Sequence, residues 1–224
     1  MNGDAVSRAD LPDDLEPALE RELAGLEAEA ADAPPGRRAL FLGRAGDLCL
    51  GAGQRARALG FYGRSIDGYL SGAHYDAAAS VCRKVLRISP RAVRTRATLA
   101  WLAVGKGLHG NARREIDDYV RAAVRAGEER RASRQLALMA QATLDPDLRR
   151  VLAEHLARTG AVRDAERIMR ELAAGRDART LPSLEQQEKL WEQVLHAALM
   201  GPQELDSRSD ELQHPPDVAE EDEE

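Results

Sequence analysis

A helical hydrophobic period, broken at short intervals, is the feature that most limits how this chain can fold. From residue 38 to 200 apolar side chains recur at helical spacing. Glycine or proline interrupts them near Gly51-Ala52-Gly53, Gly72-Ala73, Ser89-Pro90, Gly107–Gly110, Gly127, Asp145-Pro146, Gly160 and Gly175–Pro182. The spacing predicts helices near 38–51, 55–71, 74–88, 92–107, 110–126, 128–143, 147–159, 161–174 and 183–200. Short links between helices of matched length make sequence neighbours antiparallel. Composition agrees: alanine, leucine and arginine dominate and aromatics are only 4%. Strand-favouring residues are too sparse for a sandwich, a barrel or a doubly wound sheet. The expected class is all-α, with a globular bundle and a solenoid of helix pairs as the two candidate architectures.

Charge divides the 224 residues into three stretches. Residues 1–36 carry ten acids and two arginines, and residues 201–224 carry ten acids and one arginine. The intervening 37–200 body carries 29 bases against 18 acids. A basic body thus lies between two acidic ends, which points to an electrostatic partner or to ends that screen the body. The first stretch contains an amphipathic segment at about 12–31, with Leu15, Leu19, Leu23 and Leu26 at helical spacing, before the break at Ala33-Pro34-Pro35-Gly36. The last follows the helix-breaking His214-Pro215-Pro216 and has too little apolar surface to fold. Residues 201–224 are therefore expected to be a disordered acidic tail.

An internal repeat favours the solenoid. In Tyr75-x-x-Ala78-x-x-x-Cys82-x-x-Val85-Leu86-x-Ile88-x-Pro90, small residues sit where a helix crosses its neighbour and large ones flank them. A shift of 34 residues carries Ala78 to Ala112, Cys82 to Ile116, Val85 to Tyr119 and Leu86 to Val120. Leu42-x-x-Ala45-Gly46-x-x-Cys49, Gly53, Ala58-x-x-x-Tyr62 and Leu152-Ala153-x-x-Leu156, Gly160, Ala165-x-x-x-Met169 read as the same helix-pair unit. Over residues 38–174 the chain resembles the tetratricopeptide repeat family. It departs from that family in its steps of 20 from Ala58 to Ala78 and 53 from Ala112 to Ala165, and in small residues at most aromatic positions. The resemblance implies a right-handed superhelical solenoid of antiparallel helix pairs. The 183–200 helix would cap it, with Trp191 as a plug, and the 12–31 helix would cap the other end or fold back as a pseudo-ligand.

Catalytic chemistry finds little footing in the residues. His74, His109, His155, His196 and His214 show no metal-ligand spacing, and His155 reads as an exposed helix residue. Cys49 and Cys82 fall on core positions, where a thiol is inert. Two cysteines make neither a disulfide framework nor a four-thiolate zinc site. Gly51-Ala52-Gly53-Gln54-Arg55-Ala56 imitates a dinucleotide fingerprint but lacks the strand that such a loop needs. The expectation is no catalytic residue, no metal and no cofactor. The chain has no run of 18 apolar residues to span a membrane, and its acidic start reads as neither a signal nor a transit peptide. The expected compartment is the cytoplasm.

Binding is the better-supported role. In the family, the first helix of each pair lines the concave face. Carried over, that pattern selects Arg94, Ala97, Trp101 and Val104, then Arg131, Arg134, Leu138 and Gln141, then Arg150, Glu154 and Arg158. The resemblance thus implies an arginine-lined groove with Trp101 as its aromatic anchor, suited to an acidic peptide or protein partner. The expected function is a non-enzymatic interaction scaffold or adaptor. The acidic tail is a candidate intramolecular occupant of the same groove. The alternative is a regulatory protein that binds nucleic acid through the basic body. Arginine without lysine or interleaved aromatics is a weak footprint for that alternative.

Overall fold

Glycine and proline set the helix ends almost where the sequence places them. The computed structural model describes residues 15–105 and 109–174, which belong to one compact unit spanning Met1–Leu181. These residues form α1 (Leu15–Asp32), α2 (Pro35–Gly51), α3 (Arg55–Ser71), α4 (Tyr75–Ile88), α5 (Val93–Gly105), α6 (His109–Ala126), α7 (Glu129–Ala142), α8 (Pro146–Arg158) and α9 (Val162–Ala173). The described residues contain no strand, so the all-α class holds. The expected break at Ala33–Gly36 is shorter than anticipated. Pro35 sits in the first turn of α2, where its missing N–H costs nothing and its fixed φ suits the helix. The helix expected at 183–200 and the acidic 201–224 stretch lie outside the described residues.

Four of the reversals share one hydrogen-bond pattern. After α2, Gln54 N–H donates to the Cys49 carbonyl and Gly53 N–H to that of Leu50. The same pair of bonds recurs at Ala73-His74, Gly127-Glu128 and Gly160-Ala161. This is the Schellman ending, which needs a left-handed residue to turn the chain and satisfies the last helical carbonyls. Gly53, Gly127 and Gly160 supply it at φ +74°, +73° and +88°, and Ala73 supplies it at φ +56°. The dinucleotide-like string is thus the turn between α2 and α3. A different device starts α8, where the Asp145 carboxylate accepts from Asp147 N–H at 2.9 Å and Pro146 occupies the first turn.

Small residues let the helices approach closely. Gly46 on α2 faces the Tyr62 ring of α3, and a Cβ there would lie 2.7 Å from it. Gly68 abuts Ala39, whose carbonyl accepts from Ser65 Oγ at 2.7 Å. Each helix packs on the next, and α5 also touches α7 while α6 touches α8. α5 is the innermost: Thr98 through Val104 are buried in an unbroken run. A helix apolar all round belongs in a core rather than on a surface.

Candidate interaction surface

The residues expected to line a groove take several different positions. Trp101 is 3% exposed, and its indole N–H donates to Gln135 Oε1 of α7 at 2.8 Å. It is a core residue rather than an exposed anchor, because α4, α6 and α7 all pack around α5. Val104 is also buried, and Ala97 and Leu138 are partly so. The polar members remain at the surface. Arg94 donates to Asp67 of α3 at 3.1 Å, and burial raises the Asp67 carboxyl against the pull of that arginine. Arg131 pairs with Glu128 at 3.3 Å and Arg150 with Asp147 at 2.8 Å, both within their own helical turn. Arg134, Gln141, Glu154 and Arg158 are exposed.

A denser arginine site lies elsewhere. A recess of about 350 Å³ opens between the turn after α4 and the last turns of α6, lined by Pro90, Arg91, Arg96, Asp118, Arg121 and Arg125 among others. Arg96 donates through Nε and Nη2 to the Pro90 carbonyl at 3.2 and 3.0 Å, and its Nη1 lies 3.5 Å from Asp118. Arg121 pairs with the other oxygen of the same carboxylate. Sequence reasoning missed this set because it joins a turn to a helix end. The available signal was the pair Arg121 and Arg125, one helical turn apart, with Arg91 and Arg96 flanking Pro90.

The acidic N-terminal helix shows how such arginines hold carboxylates. α1 buries Leu23 and Ala30, with Leu19 and Leu26 half-buried. Glu20 accepts both arms of the Arg57 guanidinium from α3, one at 2.9 Å, and Glu27 accepts from Arg64 at 3.0 Å. Arg57 holds the Glu20 carboxyl below its ordinary value. The Arg64 guanidinium also stacks 4.6 Å from the Phe61 ring centre. Arg38 ties down the end of α1 by donating to the Ala30 carbonyl at 3.0 Å.

His155, the two thiols and the Tyr62 ring are enclosed. His155 is not the exposed residue its sequence position suggests: it is buried, and Nε2 lies 2.6 Å from Asp117 of α6. Cys49 and Cys82 are buried free thiols, and burial pushes Cys82 up to about 12. Tyr62 donates to Asp47 at 2.5 Å, with its phenol raised first by burial and then by that bond. An open depression of about 620 Å³ is lined by Leu40, Tyr69, His74 and Tyr75, with Arg37 and Asp76 at hand. Among the described residues no helix is long and apolar enough to cross a membrane. No protein-family model matches the chain, and no curated protein or solved structure shows significant similarity to it.

Proposed function

We propose that the chain is a non-enzymatic interaction scaffold, a tetratricopeptide-like solenoid that holds an acidic segment of another polypeptide on its arginine surface. The recess with four arginines and one aspartate carries this reading. Its excess positive charge suits carboxylates, which a guanidinium fork grips through two parallel bonds. The seating of α1, with six acids and one arginine, on Arg57 and Arg64 supports it from within the molecule.

Bonds between alternate helices support the solenoid arrangement. Glu20–Arg57, Glu27–Arg64 and Asp47–Lys84 are each separated by 37 residues, Asp117–His155 by 38 and Trp101–Gln135 by 34. Each joins a helix to the next but one. Two bonds with the same separation between α1 and α3 require those helices to run in the same direction, as alternate members of a stacked array do. Thin helix pairs cannot bury their apolar faces alone and gain stability by stacking.

Fluorescence anisotropy with a labelled glutamate-rich peptide tests the reading on the full chain. Binding is expected at low ionic strength, with loss on Arg91→Ala/Arg125→Ala substitution and no binding of a lysine-rich control. Failure of the acidic peptide to bind at low salt would overturn the scaffold reading. Preferential binding of an oligonucleotide would favour the nucleic-acid alternative.

A further inference from the structure

The recess beside Pro90 offers more charge and more donors than one carboxylate can use. Arg96 is committed to the protein: three of its nitrogens face the Pro90 carbonyl and Asp118, and its side chain is only 21% exposed. It fixes the turn that carries Arg91. The other three guanidiniums reach solvent. Arg121 touches Asp118 but is 65% exposed. Arg91 and Arg125 are exposed and form no ion pair among the described residues. Arg121 and Arg125 stand one turn apart on α6, and Arg91 faces the same recess from the opposite side.

From this we infer that the recess binds a phosphoryl dianion carried on a polypeptide, a phosphorylated serine or threonine side chain, with Arg91, Arg121 and Arg125 as its ligands. The inference rests on the scaffold reading and narrows its ligand. A phosphomonoester brings a charge of about −1.5 to −2 and three acceptor oxygens. A carboxylate brings one charge and two oxygens, enough for one fork. Three forks around one small recess match the phosphoryl group in both charge and donor count. A nucleic-acid strand fits less well. It calls for a basic track with stacking aromatics, and none of the described residues lining the recess is aromatic. The acidic ends of the chain also repel a polyanion, whereas a single phosphoryl group meets the local field of the arginines.

Arginine Nε–Hε resonances of the isotopically labelled full chain provide the readout. The probes are a short peptide with one phosphoserine between glutamates, the same peptide with glutamate in place of the phosphoserine, inorganic phosphate, and a thymidine oligonucleotide. The phosphopeptide is expected to shift Arg91, Arg121 and Arg125 and to bind about tenfold or more tighter than its glutamate counterpart. Arg91→Ala and Arg125→Ala should each weaken it by a similar factor with the circular dichroism unchanged. Arg125→Lys, which keeps the charge but loses the fork, should restore only part of the affinity. Equal affinity for the two peptides would overturn the phosphoryl inference and leave the scaffold reading standing. Inorganic phosphate binding as tightly as the phosphopeptide would do the same, whereas tighter binding of the oligonucleotide would overturn the inference and favour the nucleic-acid alternative over the scaffold. No shift with either peptide would overturn the inference and the scaffold reading together.

Discussion

Ala73 holds a backbone conformation that glycine holds at three equivalent turns. A side chain at φ +56° crowds the following carbonyl, at a cost of roughly 1–2 kcal/mol. Ala73→Gly should therefore raise the stability by about 0.5–1 kcal/mol, after the entropy that glycine adds to the unfolded chain is deducted. Gly53→Ala should lower it by about 1 kcal/mol, since a Cβ at Gly53 meets no neighbour and only the backbone responds. Urea denaturation of the two variants checks both signs, and a stabilised Gly53→Ala would contradict the argument. The sequence marks this turn but not its left-handed residue, because Gly72 stands one position too early. Trp101 and His155 were illegible for a related reason. Which way each faces depends on Gln135 and Asp117, residues 34 and 38 positions distant.

At the scale of the helix, periodicity told most where it was amphipathic. α4 buries Ala78, Cys82 and Val85 at the expected spacing, whereas α9 buries Ala165 with Ile168 and leaves the expected Met169 44% exposed. α5 has no polar stripe from Thr98 to Val104, so its sequence gives no inward face, and the expected groove was misassigned there. The arginine recess was hidden because it depends on how α6 lies against the turn before α5. α1 is held by buried Leu23 and Ala30 and, at its rim, by exposed ion pairs to Arg57 and Arg64. The folded Glu20 carboxyl lies below its ordinary 4.5, so its contribution is present above that value and fades as pH falls through the folded one. The amide resonances of α1 around Glu20 should shift below about pH 4.5 while the helix stays docked through Leu23 and Ala30, and those of α5 stay in place. Salt should act in the same direction, since exposed pairs are screened over about 8–10 Å. Carbon-detected titration of Glu20, with Arg57→Ala returning it to the ordinary value, checks the cause. Unmoved α1 amides through that window would contradict it.

Across the whole array of described helices, the principal contacts join neighbours or next-but-one neighbours. On the proposed solenoid reading, stability is close to a sum of local terms. Hydrogen exchange should therefore be graded, slowest in α5 and fastest in α1 and α9, with no single all-or-none step. Uniform protection from α1 to α9 would count against that picture. The same locality bears on how a chain of this kind changes in length. One reversal geometry serves four junctions, and each sets the local path of the backbone from its own few residues. If the helices stack as proposed, length is almost a free variable: duplicating one coil together with its joint would extend the molecule without redesigning what already stands.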